Sequence, residues 1–279
     1  MVKSYNVNVG NICFSNDSVI KFILGPCQIE SRMHALETCA EINEICSKLK
    51  LEFVYKSSFD KANRSSQSSS RGVGLREGME ILNEVKEKFR CPILTDVHEA
   101  NQCSIVSKVV DVIQIPAFLC RQTDLILAAG KTSCAVNVKK GQFLAPWDMK
   151  NIIEKLKYTG TDRIMLTERG TMFGYNNLVT DMRSLIIMRN FNYPVIFDAT
   201  HSVQLPGSVG KTSGGQRKFV ESLAKAAVTT KISSIFIETH QNPSVAPSDG
   251  QTMISLKDLP KILHYIKLYD NLAKSEHIS

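Results

Sequence analysis

At 279 residues, 43% hydrophobic and 22% charged, the chain has ordinary globular composition and the length of one α/β barrel, about 250 residues, with no need of disulfide staples. No run of about 18 apolar residues occurs, which excludes a membrane-spanning helix. Met1–Asp17 lacks the basic-then-apolar pattern of a secretory signal, so a cytoplasmic protein is expected. The formal charge of +7 is spread along the chain without a basic block, which argues against nucleic acid as a partner and for anionic substrates held in a cleft.

The first predicted element is a small β-hairpin, Tyr5–Val9 and Ile12–Phe14 flanking Gly10-Asn11. Eight short apolar or β-branched runs follow: Lys21–Pro26, Glu52–Lys56, Pro92–Asp96, Asp111–Pro116, Ala135–Lys139, Arg163–Thr167, Pro194–Asp198 and Ser234–Glu238. Near-continuous apolar strands of this kind suit a parallel sheet covered on both faces. Between them, Leu75, Met79, Leu82, Val85 and Phe89 recur at helical spacing, as do Phe219, Leu223 and Ala227. Strands alternating with helices make right-handed βαβ units, and eight of these close a (β/α)₈ TIM barrel. The expected organisation is a single domain, with residues 1–19 capping the N-terminal end of a barrel formed by residues 20–279. The alternative, an open doubly wound sheet, normally carries a G-x-G-x-x-G turn after its first strand; Gly25-Pro26-Cys27-Gln28-Ile29-Glu30 is not one.

The eight cysteines, Cys13, Cys27, Cys39, Cys46, Cys91, Cys103, Cys120 and Cys134, form no C-x-x-C pair and are expected to be thiols in a reducing compartment. Cys39 and Cys46 share one helix face, as small buried hydrophobes do. Gly210-Lys211-Thr212 and Gly130-Lys131-Thr132 resemble the end of a phosphate-binding P-loop. Each lacks the upstream glycine, with Leu205 and Leu125 in its place.

Catalytic side chains of a barrel sit where strands end and βα loops begin. Polar groups follow every run here: Cys27 and Glu30; Lys56, Ser58, Asp60, Lys61, Asn63 and Arg64; Asp96, His98 and Glu99; Gln114, Phe118, Arg121 and Gln122; Asn137, Lys139 and Lys140; Glu168 and Arg169; Asp198 and His201; Glu238, His240 and Asp249. Ser65–Ser70 reads as an active-site loop. Lys56, Lys61, Arg64, Arg121, Lys139 and Arg169 are expected to converge on one mouth. Cations so close repel unless anions join them, as two phosphates and a carboxylate would. Cys27, His201, Glu238 and Asp249 combine thiolate, imidazole and carboxylates, a set suited to a divalent Zn, Fe or Mn ion. In a closed barrel the first, seventh and eighth strands that carry them are neighbours.

These strand ends resemble the 3-deoxy-D-manno-octulosonate 8-phosphate synthases. The resemblance lies in the run Lys56–Ser66 (KSSFDKANRSS), in Thr95-Asp96-Val97-His98-Glu99, in Ile115–Asp124 (IPAFLCRQTD) and in Asn137-Val138-Lys139-Lys140. Gly170–Tyr175 (GTMFGY) and Phe197–Ser202 (FDATHS) extend it over nearly the whole chain. It implies condensation of phosphoenolpyruvate with D-arabinose 5-phosphate and water, giving the eight-carbon sugar acid phosphate for lipopolysaccharide and inorganic phosphate, by a homotetrameric transferase. By position, Lys61, Lys139 and Arg169 resemble residues that hold phosphoenolpyruvate, with Lys56 and Ser58 nearby. Asn63, Arg64 and Ser65 resemble those that hold the sugar phosphate, and Arg121 the arginine that reaches it from a neighbouring subunit. Asp96, His98 and Gln114 line the same cavity, and Ala117 and Phe118 join the expected substrate-binding set. Lys61, Asp96, His98, His201 and Asp249 are the expected catalytic set.

The family has metal-dependent and metal-independent branches, with Cys and Asn respectively at the end of the first strand. Cys27 and the run His201–Gly207 (HSVQLPG) resemble the metal branch, implying a divalent Zn, Fe, Mn or Co ion on Cys27, His201, Glu238 and Asp249. Gln241-Asn242 departs from the Pro-Asp common there. The nearest rival is the related 3-deoxy-heptulosonate 7-phosphate synthase, which takes erythrose 4-phosphate and has Lys-Pro-Arg-Thr where this chain has Lys61-Ala62-Asn63-Arg64. A Schiff-base aldolase using Lys139 and, from another class, a basic nucleic-acid-binding protein are the remaining alternatives.

Overall fold

The computed structural model describes residues 4–63, 71–209 and 212–275. The predicted loop Ser65–Ser70, with the candidate residues Arg64 and Ser65, lies outside the described residues, as does Gly210-Lys211. Eight parallel strands form the barrel: β1 (Lys21–Gly25), β2 (Phe53–Lys56), β3 (Ile93–Asp96), β4 (Val112–Ile115), β5 (Ala135–Lys139), β6 (Ile164–Glu168), β7 (Val195–Asp198) and β8 (Ser234–His240). Each pairs with the next, and β8 pairs with β1 to close the ring, Glu238 opposite Gly25 and Asp198 opposite Phe236. A helix follows every strand: α1 (Arg32–Leu49), α2 (Leu75–Phe89), α3 (Ala100–Val106), α4 (Thr123–Gly130), α5 (Met149–Tyr158), α6 (Met182–Arg189), α7 (Val220–Val228) and α8 (Leu259–Ser275). The chain is a (β/α)₈ barrel with an antiparallel N-terminal hairpin, Val7–Val9 against Ile12–Phe14.

Side-chain alternation along the strands builds two cores. Outward residues such as Phe22, Tyr55, Ile113, Val138, Leu166, Phe197 and Ile235 pack against the helices. The helix side of that layer includes the stripe Met79, Leu82 and Val85 of α2, and Cys39 and Cys46 of α1. Inward residues, one from each strand, form a separate cluster: Ile23, Val54, Leu94, Val112, Ala135, Met165, Ile196 and Phe236. The hairpin contributes Val7, Val9, Ile12 and Phe14 to the same cluster. Alternate hairpin residues face one side, so these four plug the barrel from its N-terminal end.

Two boundaries move from their sequence-based positions. Phe219 lies in a 3₁₀ turn, Arg217–Phe219, and is 42% exposed. The buried face of α7 is therefore Val220, Ala224 and Ala227. Strand β8 runs past Glu238 because Thr239 and His240 pair with Ile254 and Ser255. That short return of the chain pins the loop carrying Asp249 beside β8.

Candidate active site

Two residues above each apolar inward side chain, on the same face, the strands change character. Val54 is followed by Lys56, Leu94 by Asp96, Val112 by Gln114, Ala135 by Asn137 and then Lys139, Met165 by Thr167, Ile196 by Asp198 and Phe236 by Glu238. All eight of these polar residues are buried. On β1 the corresponding residue is Gly25, where a Cβ would stand 1.9 Å from the Lys56 carbonyl oxygen. The missing side chain lets β1 and β2 close up beneath Cys27.

A cavity of about 470 Å³ opens above this layer. Lys56, Ser58, Lys61, Asn63, Asp96, His98, Gln114, Ala117, Phe118, Lys139, Arg169, His201 and Asp249, all expected from sequence, line it. Cys27 and Glu238 lie just beneath, Cys27 Sγ being 3.1 Å from Asp249 Oδ2 and Glu238 Oε1 being 2.7 Å from Lys56 Nζ. Arg121 is exposed and does not line the cavity. Lys140, just past β5, is fully buried and does not line it. Gln142 and Gln204 also line the cavity. Gln204 sits inside the run His201–Gly207 and could have been read from it; Gln142 carried no signal beyond following Lys139-Lys140.

The expected repulsion among cations is met largely from within. Lys56 donates to Glu238 and to the Cys27 carbonyl, 2.7 and 2.8 Å. Lys139 donates to Asp198 and stands 4.0 Å above the centre of the Phe236 ring. Lys61 donates to Ser58 Oγ at 3.0 Å, and Ser58 donates to Asp96. Arg169 donates to Gln204 Oε1 and, at 3.2 Å, to the His201 carbonyl, while its Nε is buried without a partner among the described residues. Thus Lys56, Lys61, Lys139 and Arg169 face Asp96, Asp198, Glu238 and Asp249, and the protein's own charges come close to balance. The sequence alone suggested that anions must hold these cations together, but protein carboxylates already do so.

This pairing sets the protonation states. Burial works to raise the Asp96 carboxyl, but the His98 hydrogen bond and the Lys61 charge hold it well below the usual range. Burial likewise opposes ionisation of Asp198, and His201 and Lys139 outweigh it. Asp249 is held at about 2 against burial by His201 and Lys61. Burial lowers Lys139 and Arg169. It also pushes the Cys27 thiol far above its ordinary value, with the Glu238 charge adding to the effect.

The four candidate metal donors come together. Ligand atoms of Cys27, Glu238 and Asp249 lie within 4.8 Å of one another. His201 Nε2 is 3.6 Å from Glu238 Oε1 and 3.8 Å from Asp249 Oδ2. His201 Nδ1 is 2.7 Å from Asp198 Oδ2, an acceptor, so Nδ1 keeps its proton, and Nε2, which faces the carboxylates, is the nitrogen that would give up its proton to bind an ion. A carboxylate behind a histidine in this way is the usual support of a metal-binding imidazole. Among the described residues Glu238 Oε2 has no hydrogen-bond partner, and it is a buried acceptor beside the other donors. The residues therefore fit a divalent ion.

A second cluster, Glu30, His34 and His240, lies alongside. His240 Nδ1 accepts the Asn242 N–H at 2.9 Å, so its Nε2 carries the proton and donates to Glu30 at 2.8 Å. That nitrogen offers no lone pair, and the cluster is a hydrogen-bonded brace. Gln241 joins it through Thr38 of α1, 3.0 Å. The Gln241-Asn242 departure thus anchors the loop between Glu238 and Asp249 to a helix by side-chain hydrogen bonds.

Fold and site define a (β/α)₈-barrel enzyme whose mouth combines paired cations with a metal-capable donor set. The chain matches the sequence model of the DAHP synthetase I family over residues 4–275 and belongs to that family. It is 58% identical over 268 residues to the 2-dehydro-3-deoxyphosphooctonate aldolase of Bartonella tribocorum, covering 96% of each chain. It is 56% identical over 276 residues to the protein of that name from Rickettsia canadensis, covering 99% of each. The Brucella anthropi protein of that name is 54% identical over 269 residues, 96% of this chain and 97% of its own.

Proposed function

We propose that this enzyme condenses phosphoenolpyruvate with D-arabinose 5-phosphate and water to 3-deoxy-D-manno-octulosonate 8-phosphate and inorganic phosphate, a transferase step of lipopolysaccharide synthesis. The observation that carries the reading is the single cavity in which Lys61, Lys139 and Arg169 stand over Cys27, His201, Glu238 and Asp249. The names of the relatives agree with it. C3 of the enol forms a bond to the sugar aldehyde carbon, positive charge develops at C2, water adds there, and phosphate leaves with cleavage of its bond to C2.

Lys61, Lys139 and Arg169 hold the phosphate and carboxylate of phosphoenolpyruvate, with Lys56 and Ser58 nearby, Ser58 accepting from Lys61. Holding both substrates in register removes the entropic cost of encounter, and fixed cations stabilise the departing phosphate. His98 accepts the proton of the adding water: its Nε2 is 3.0 Å from Asp96, which fixes the tautomer, and its Nδ1 is buried without a partner among the described residues. Gln114, held by Asn137 at 3.1 Å, with Ala117 and Phe118, shapes the wall. Asn63, Arg64 and Ser65 take the sugar phosphate.

Cys27, His201, Glu238 and Asp249 hold a divalent Zn, Fe, Mn or Co ion, and when bound it supplies Lewis-acid chemistry to the mouth. With the ion in place the site carries excess positive charge, which two phosphorylated substrates neutralise. The assembly is a cytoplasmic homotetramer. Exposed Phe118, Phe143, Trp147, Met172, Phe173 and Tyr175 sit on three successive βα loops beside exposed Arg121, a large apolar surface for one molecule to leave open. Every cysteine is a free thiol, in keeping with a reducing compartment, and no helix of the described residues is long and apolar enough to cross a membrane.

Phosphate release from phosphoenolpyruvate, measured with arabinose 5-phosphate and with erythrose 4-phosphate, tests the reading. The five-carbon sugar should win in kcat/KM, by about a hundredfold or more, because groups built to bond a hydroxyl are left unpaired by an analogue that lacks it. Equal or better use of erythrose 4-phosphate would move the enzyme to the seven-carbon synthases. Arg64→Ala should raise the KM for arabinose 5-phosphate roughly ten- to a hundredfold, the worth of a charged hydrogen bond.

A further inference from the structure

We propose that Glu168 and Lys140, a buried ion pair that does not line the cavity, are positioning residues for Arg169. Glu168 ends β6 and Lys140 follows β5, and both are buried. Glu168 Oε1 accepts two consecutive backbone N–H groups, Arg169 at 2.9 Å and Gly170 at 2.7 Å. Its Oε2 accepts from Ser184 of α6 and lies 3.6 Å from Lys140 Nζ. Lys140 in turn donates to the Gly141 and Leu144 carbonyls, at 3.2 and 3.0 Å, and to Thr171 Oγ1, at 3.2 Å. One salt bridge therefore ties the loop after β5 to the loop after β6.

The clamp acts on backbone direction. Two N–H groups converging on one carboxylate oxygen force a tight turn, and Gly170 meets it with φ +90°. A Cβ there would be strained by that φ and would press on Leu178 Cβ at 3.3 Å. The turn releases the Arg169 side chain from the strand end into the cavity, where, among the described residues, Gln204 and the His201 carbonyl receive its guanidinium. Among the described residues Arg169 Nε has no partner. Charge-assisted bonds are the stronger kind, which suits a device that fixes an arginine to a fraction of an ångström. Burying a charged pair does little for stability beyond what an apolar pair of like size achieves. The backbone clamp gives this one a task.

The inference rests on Arg169 binding phosphoenolpyruvate, and the test separates the two. Equilibrium binding of phosphoenolpyruvate to metal-loaded protein is compared for Glu168→Gln, for Lys140→Met/Glu168→Met and for Arg169→Ala, with thermal unfolding as a check on fold. Glu168→Gln keeps the Oε1 acceptor and should bind within about threefold of the parent. The double methionine variant should bind about tenfold more weakly or worse, with the KM for arabinose 5-phosphate moved less than about threefold. Placed on Arg169→Ala, the same pair should add less than about twofold, because the clamp works through that side chain. Should the methionine pair fail to fold, Gly170→Ala strains the same turn and should show the same selective loss. Parent-like binding by the methionine pair or by Gly170→Ala, equal effects on both substrates, or full additivity with Arg169→Ala would overturn the clamp alone. Undiminished binding by Arg169→Ala would overturn the assignment of Arg169 and the clamp with it.

Discussion

The lower and upper halves of the barrel interior are built from the same eight strands and differ by two residues of register. Below, Ile23, Val54, Leu94, Val112, Ala135, Met165, Ile196 and Phe236 close on one another and on the hairpin. Above, Lys56, Asp96, Gln114, Asn137, Lys139, Thr167, Asp198 and Glu238 fill the same ring with charge and hydrogen bonds. The lower ring gains from burial of apolar surface. The upper ring opposes it, since each ion loses hydration and recovers it only through a partner. The plugged, apolar end makes the barrel strong enough to carry a mouth whose groups are ordered for chemistry. The Lys139 and Lys56 ammoniums stand over the Phe236 ring, 4.0 and 5.7 Å from its centre, and join the two halves there.

Changes in the upper half should therefore cost activity and leave the fold, and the largest effect should come from the metal cluster. Cys27→Ala should lose the bound ion, read by elemental analysis, and about a thousandfold in turnover, the several kcal/mol that a metal supplies. Its thermal transition should stay cooperative. Full-rate turnover by verified metal-free parent protein would return Cys27 to the buried hydrophobes and break the contrast at its strongest point.

The lower half should behave in the opposite sense. Met165→Ala should cost about 2–5 kcal/mol in denaturant unfolding, the loss of buried methylenes plus the cavity left behind. Both KM values should stay within about twofold. A large rise in either KM would mean that the apolar ring also steers the substrates, and the two halves would not be separable.

The smallest expected effect is the acid response of the upper ring. Asp249 is held at about 2 in the folded protein, against about 3.9 for a free aspartate. The unfolded chain thus takes up the proton first. The resulting stabilisation is present above about pH 4 and is lost as pH falls toward 2, by roughly 2 kcal/mol in all. Asp249→Asn should lack this loss, so the stability gap between it and the parent should narrow between pH 5 and pH 3. A constant gap would show that Asp249 is not held by the cations around it.

Most of the ladder of elements was legible in the sequence, because parallel strands covered on both faces must be apolar throughout. Ala135–Lys139 is a strand with the ends its residues suggest, and the other seven runs start or stop within a residue or two. The strand-end rule also found Lys61, Asp96, His98, Lys139 and Arg169, since polar groups just past a buried strand have one mouth to face. It could not tell Arg169 from Arg121. Both follow a strand, yet one is buried and lines the cavity and the other is exposed. Gln142 was unreadable because the loop after β5 brings it back to the wall.

By itself, then, the sequence determined a (β/α)₈ barrel, a chain of strand-end ions, and the family. Period-two alternation and helical stripes are local properties of the chain, and the motifs at the strand ends are contiguous. Only the tertiary structure decided which ions pair. Lys56 meets Glu238 across 182 residues of chain, and Cys27 meets Asp249 across 222. Those meetings follow from closure of β8 on β1, Glu238 opposite Gly25. The energy of a buried charge depends on what stands within a few ångströms, which no separation along the chain reveals.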